Sequence, residues 1–144
     1  MLIKQISIFV ENKPGRLSEI TEVIAEAGID IRALSIADTT DFGILRLIVD
    51  KPTEAEAALK KAGITVSVTN VIAIGIDDKS GSFNAAVKVL ATNSIDVEYM
   101  YAFISRDTKK AYVILRVSDN DMACDVLTKA GIEILSEKGF YDMM

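Results

Sequence analysis

The chain has 144 residues and a formal net charge of −5, from 21 acidic and 16 basic side chains, so its surface on average repels phosphate backbones and anionic membranes. Nucleic acid and membrane are therefore not expected as partners. Half of the residues are hydrophobic and 26% are charged, which predicts a packed globular chain, either one ordinary domain or two small ones that share buried surface.

No stretch is long and apolar enough to span a bilayer; Ala111 to Leu115 is strand-length and ends at Arg116. Met1 to Val10 carries Lys4 and Gln5 within a short apolar run and has no small-residue cleavage site, so no signal peptide is expected and the address is read as cytoplasmic. The sequence has no histidine and one cysteine, Cys124. An internal disulfide is thereby ruled out, and the commonest metal ligand and general base is missing. No metal, cofactor or catalytic residue is assigned.

In chain order, Ile6, Ile8 and Val10 alternate with Gln5, Ser7 and Phe9, the period of a strand with two distinct faces. A glycine-containing turn follows. Leu17, Ile20, Ile24 and Ala27 then recur at helical spacing, with Ser18, Glu19, Glu22 and Glu26 on the opposite side. Gly28 is placed to end this helix in the left-handed conformation. Ile29, Ile31 and Ala33 begin a second strand, and Phe42 to Val49 reads as a third. Thr53 and Glu56 form a capping-box pattern behind Pro52, opening a helix that stops at Gly63. Ile64 to Val68 reads as a fourth strand.

The same pattern then returns. Gly15 falls on Gly81 and Asp30 on Asp96 at a shift of 66 positions, and Leu59 to Ile64 matches Leu127 to Ile132 at a shift of 68. The two extra residues fall between Asp38 to Phe42 and Ile104 to Lys110, as in a turn that tolerates length differences. Ile72, Ile74 and Ile76 repeat the first strand, and Asp119 stands where the second helix of the second half begins. The boundary is placed near Asn70, giving domains 1–69 and 70–144.

The order βαββαβ, present twice, predicts an α+β chain of two ferredoxin-like units with antiparallel sheets and helices on one face. The other face is left bare. Phe9, Leu34 and Ile36 in the first unit, and Met100 and Ile104 in the second, are expected to point away from the helices. Such a surface predicts self-association, as a homodimer through sheet faces or strand edges.

The turn Asn12-Lys13-Pro14-Gly15-Arg16-Leu17 has the strongest physical claim to chemistry. Gly15 lets a ligand approach the main chain, and the helix start offers unpaired N–H groups that favour a carboxylate. Pro14 pre-organises the turn, and Asn12 can bond its own backbone or a ligand's ammonium group. An ordinary strand-to-helix turn explains the same residues equally well on physics alone.

This run, continued by Val23-Ile24-Ala25-Glu26-Ala27-Gly28-Ile29-Asp30-Ile31, resembles the signature of the ACT domain family. Phe42-Gly43-Ile44-Leu45-Arg46-Leu47 resembles the family's third strand, and Ala62-Gly63-Ile64 its approach to the fourth. The second half departs from the pattern, with Ser80 for proline, Ser82 for Arg16 and Ser94 for Gly28. Its loop is expected to bind differently or not at all.

The resemblance implies a regulatory module that binds an amino acid between one domain's first loop and a neighbour's second strand. It nominates Asn12, Gly15, Arg16 and Leu17 in one loop and Lys79, Gly81, Ser82 and Phe83 in the other, with Lys13, Pro14 and Ser80 completing the loops. Facing strands add Leu34 and Ser35, or Met100 and Tyr101. Tyr99, Tyr101 and Phe103 stand where the first unit has Ala33, Ser35 and Ala37. These rings either shape one cleft for a bulky side chain or fill core. The cleft built on Asn12 to Leu17, facing the aromatic strand, is the first choice.

The function expected is a non-catalytic sensor that binds an amino acid as effector and regulates a partner protein. One alternative is an interaction module with an empty cleft. Another is a small enzyme of the same fold, which the residues disfavour: there is no histidine base, no paired nucleophile and no glycine-rich phosphate loop. Asp41-Phe42-Gly43 resembles a kinase motif without its accompanying elements and reads as a turn entering a strand. A metal carrier would need paired cysteines, and an RNA binder basic charge with aromatic residues on the sheet.

Overall fold

A computed structural model describes residues 2–38, 41–103 and 109–143. The chain divides into two compact units, Lys4–Thr69 and Asn70–Met144 with Met1–Ile3. The first holds β1 (Ile3–Glu11), α1 (Arg16–Glu26), β2 (Ile31–Asp38), β3 (Phe42–Val49), α2 (Pro52–Lys61) and the start of β4 (Val66–Asp77). The second holds the rest of β4, then α3 (Ser82–Thr92), β5 (Val97–Phe103), β6 (Lys110–Val117), α4 (Asn120–Lys129), β7 (Glu133–Ile134) and α5 (Glu137–Met143).

Within the first unit β3 pairs antiparallel with both β1 and β2. Ile6, Ile8 and Val10 of β1 and Leu45, Leu47 and Val49 of β3 form one core with Ile20 and Ile24 of α1 and Ala55 and Leu59 of α2. In the second unit β4 pairs with β6 and β7, and β6 with β5. Ile72, Ile74, Val113 and Leu115 pack there against Ala86, Leu90, Ala123 and Leu127 of α3 and α4. Alternation on the strands and a four-residue spacing on the helices thus deliver two equivalent α+β cores.

Four features differ from the expectations above. First, the fourth strand of the first half and the first strand of the second are one continuous strand, β4. No proline falls within Val66–Asp77 to interrupt it. Second, Thr53 does not cap α2. The N-cap is Lys51, without a side-chain cap bond, because Pro52 takes the first helical position. Asp119 does cap α4, accepting a bond of 3.0 Å from the Met122 amide.

Third, Leu34, Ile36 and Met100 do not lie on the bare face. Leu34 is opposite Leu47, Ile36 opposite Leu45, and Met100 opposite Leu115, and directly paired residues share a face. Their partners belong to the helix-side cores. A register shift between Ile31 and Ala33, matched between Val97 and Tyr99, moves the alternation by one residue. Leu34, Ile36 and Met100 are exposed nonetheless, on strands at the sheet margin. Phe9, paired with Ile44, does face away from the helices and is 65% exposed. Ile104 lies outside the described residues.

Fourth, the second unit closes with a strand of only two residues, β7, followed by an additional helix, α5. Phe140 of α5 is fully buried. Its ring lies 4.9 Å from that of Phe103, which stacks on Tyr112 at 5.7 Å. Phe103, Tyr101 and Tyr112 share the face of the sheet turned from α3 and α4, as their pairing shows, so α5 covers aromatic surface there. Tyr101 is buried and Phe103 packs within its own unit. Tyr101 and Phe103 thus fill core, while Tyr99 is half-buried opposite Arg116.

The helix ends show one departure with a measurable consequence. Gly28 ends α1 at φ 70°, with Ile29 N–H donating to the Ile24 carbonyl and Gly28 N–H to that of Ala25. Ser94 ends α3 with the same two bonds, to Leu90 and Ala91, and is the one non-glycine with positive φ, 56°, among the described residues. A side chain there strains the backbone. Ser94→Gly is expected to raise stability by about 0.5–1 kcal/mol, the strain relief less the extra freedom glycine gains when unfolded. Denaturant melting measures this. A variant less stable than the parent contradicts it.

Candidate functional site

The loop between β1 and α1 is built by short-range bonds. Lys13 N–H donates to the Glu11 carbonyl at 2.8 Å, Arg16 N–H to that of Lys13 at 3.2 Å, and Glu19 N–H to that of Gly15 at 3.0 Å. Asn12 N–H donates to the Asp41 carbonyl at 3.3 Å, fixing the loop to the entry of β3. Gly15 is the N-cap of α1 at φ 85°, and its first turn has no side-chain cap bond. With the Arg16 amide taken by the Lys13 carbonyl, the Leu17 and Ser18 amides are the first-turn donors left to a ligand or to water.

A Cβ built on Gly15 meets nothing within 4 Å, so the space in front of the helix start is open. A cavity of about 300 Å³ is lined there by Glu11, Lys13, Pro14, Arg16 and Glu19. Two ion pairs flank it, Lys13 with Glu11 at 2.8 Å and Arg16 with Glu19 at 2.9 Å. Lys13 beside Glu11 holds that carboxyl below its ordinary pKa, and Glu11 in turn raises the Lys13 ammonium. Both stay charged near neutrality. Arg16 Nε is buried with no hydrogen-bond partner among the described residues, an unsatisfied donor on a cationic group.

The second loop has the same backbone. Lys79 N–H donates to the Asp77 carbonyl, Ser82 N–H to that of Lys79, Ala85 N–H to that of Gly81, and Asp78 N–H to that of Lys109. Gly81 is the N-cap of α3 at φ 88°. Ser80 therefore supports the turn that Pro14 supports in the first unit. What changes is charge: Ser82 and Ala85 replace the Arg16–Glu19 pair. Asp77 is instead held by Lys110 at 3.2 Å, and the Lys110 pKa is raised chiefly by that contact.

The remaining nominated residues are placed as follows. Asn12, Lys13, Pro14, Gly15 and Leu17 are exposed, as are Lys79, Ser80 and Gly81, while Arg16, Ser82 and Phe83 are half-buried. Phe83 packs against the core of its unit. Leu34 and Met100 are exposed on the helix-bearing side of β2 and β5, whereas Ser35 and Tyr101 lie on the other side, Tyr101 buried. Glu11 and Glu19 were not nominated from the sequence and line the first cavity with the nominated bases. Glu19 was legible only as one of several acids on the outer side of α1.

No group of three or more histidine, cysteine, aspartate or glutamate side chains that could hold a metal occurs among the described residues. No helix among them is long and apolar enough to cross a membrane.

Comparison with known proteins bears on both units together. A family model described as ACT domain pair matches residues 1–144. The crystal structure of protein BT0572 from Bacteroides thetaiotaomicron is similar at 39% identity and a TM-score of 0.92, over 98% of this chain and 96% of that one. The regulatory subunits of aspartate kinase from Thermus thermophilus and Thermus flavus share the fold, with TM-scores of 0.63 and 0.62 at 17% and 16% identity. They are covered over 90% and 88% of this chain and 93% and 91% of theirs. Comparison with the curated proteins gives no match. From a duplicated βαββαβ core, a glycine-capped first loop in each half and a family match over its full length, the chain belongs to the ACT domain pair family.

Proposed function

We propose that the protein is a non-catalytic sensor that binds a free amino acid at the β1–α1 loop and passes the binding event to a regulated partner protein. The observation that carries this reading is the uncapped start of α1 behind Gly15, beside the buried unsatisfied Nε of Arg16. A ligand carboxylate meets the helix N–H groups and the guanidinium there, and Glu11 and Glu19 offer acceptors for the ammonium. The second strand of a neighbouring domain completes the site, with Leu34 or Met100 as the exposed residue that meets the ligand's side chain. Similarity in fold to regulatory subunits of aspartate kinase supports a regulatory role rather than catalysis.

Energetics set a condition on such a site. An amino acid of ~10 heavy atoms bound at micromolar strength needs roughly −8 kcal/mol, about −0.8 per atom, which requires burial of nearly the whole ligand. An exposed loop does not provide that alone, which is why the site is assigned to a boundary between domains. Homodimerisation through sheet faces or through the marginal strands β2 and β5 is part of the proposal. The cytoplasm is its proposed compartment.

The two loops are isosteric in backbone and unequal in charge, and the first is proposed as the principal site. Differential affinity of the ligand for two arrangements of the domains supplies the signal. Thermal melting in the presence of each of the twenty amino acids tests this: one amino acid, or one chemically related group, raises the melting temperature. Stabilisation by none of them favours an interaction module with an empty cleft.

A further inference from the structure

The first loop gathers four charges into one cluster, and they sum to zero. Lys13 pairs with Glu11 at 2.8 Å and Arg16 with Glu19 at 2.9 Å. The pairs also act on each other: after Lys13 itself, Arg16 lowers the Glu11 pKa, and after Glu11, Glu19 raises that of Lys13. All four side chains line the cavity of about 300 Å³, with Pro14 as the fifth lining residue. No charge in the lining is left over for a charged ligand side chain.

The surroundings point the same way. Leu17, next to Arg16 at the helix start, is 43% exposed. Of the two strands proposed to complete the site from a neighbouring domain, β2 presents Leu34 and Ile36 as exposed side chains and β5 presents Met100. Whichever strand closes the cleft, the ligand's side chain meets an aliphatic or thioether group.

We infer that the effector is an amino acid with an uncharged, apolar side chain. This rests on the amino-acid reading of the β1–α1 loop and narrows it. The ligand's carboxylate takes the Leu17 and Ser18 amides with Arg16, and its ammonium takes Glu11 and Glu19, so ligand and lining are each neutral as a set. An acidic or basic side chain adds one net charge to a cleft that must exclude water to bind at all, where an unpaired charge is costly. Relieving it breaks one of the two ion pairs and leaves that pair's other member uncompensated. The second loop lacks half of this set, with Ser82 and Ala85 at the positions of Arg16 and Glu19.

Calorimetric titration of the full chain tests this, with each apolar amino acid set beside its isosteres: valine and threonine; leucine, asparagine and aspartate; norleucine and lysine. The tightest binder among the twenty amino acids is expected to be apolar, with aspartate and lysine about tenfold or more weaker than leucine and norleucine. Glu19→Gln frees Arg16 and gives the lining one net positive charge, which is expected to shrink the preference for leucine over aspartate about tenfold. Lys13→Met frees Glu11 and does the same for norleucine over lysine. Both side chains are mostly exposed, so each variant melts like the parent without ligand. A polar or charged amino acid that outbinds its apolar isostere in the parent, or preferences unmoved in both variants, overturns the inference while the site stands. Binding of none of the twenty overturns the site reading and this inference with it.

Discussion

Replacing Gly15 with valine is expected to abolish ligand-induced stabilisation while leaving the fold intact. Two effects separate cleanly at this position. The backbone sits at φ 85°, where a β-branched residue costs about 1–3 kcal/mol, so the unliganded variant melts somewhat below the parent. A Cβ there meets no protein atom within 4 Å, so the fold is not obstructed, and the new methyl groups occupy the space in front of the helix start. A ligand carboxylate can then no longer reach the first-turn N–H groups. The same change at Gly81, where φ is 88° and the Cβ is equally unobstructed, costs the same strain and leaves binding at the first loop in place. Melting of both variants with and without ligand distinguishes strain from loss of binding. Equal ligand shifts in the parent and Gly15→Val sink the loop assignment.

Truncating Phe140 is the largest change expected in stability. The ring is fully buried and packs on Phe103 and edge-on to Tyr141. Phe140→Ala removes this contact and leaves α5, seven residues long, without this fully buried anchor. Loss of a buried phenylalanine costs about 3–5 kcal/mol. For a chain of this size that lowers the melting temperature by roughly 10 °C. Hydrogen exchange locates the effect: the amides of Gly139 and Phe140, which donate to Ser136 at 2.9 and 2.8 Å, lose protection before those of α3 and α4. Unchanged protection of α5 contradicts the anchoring role.

The duplicated core was legible because it rests on local patterns. Ile6, Ile8 and Val10 alternate, Ile20 and Ile24 repeat at helical spacing, and both sets end in one cluster. Gly15, read from the sequence as an open approach point, and its repeat counterpart Gly81 are both left-handed N-caps. The misplacement of Leu34, Ile36 and Met100 has a single physical cause. A bulge near Arg32, and its counterpart near Glu98, inverts the alternation downstream, and neither residue type announces a bulge.

The union of two strands into β4 was hidden for a related reason. Thr69 and Asn70 read as a boundary in the repeat, yet nothing in the backbone chemistry there forces a turn. Helix α5 was missed because seven residues give too little periodicity, and Phe140 has no counterpart in the first half. Charge at the site was only partly visible: Arg16 and Lys13 stood out, but their pairing with Glu19 and Glu11 depends on how the loop closes.

The central claim is that an amino acid binds to the folded pair, and thermal melting across the twenty amino acids addresses it most directly. At a ligand concentration 100 times its dissociation constant, binding adds about 2.7 kcal/mol to stability, which raises the melting temperature of a chain of this length by roughly 5–10 °C. The expected result is such a rise for one amino acid or one related group, with the others flat. A flat response to all twenty, at concentrations well above the micromolar range, would contradict it.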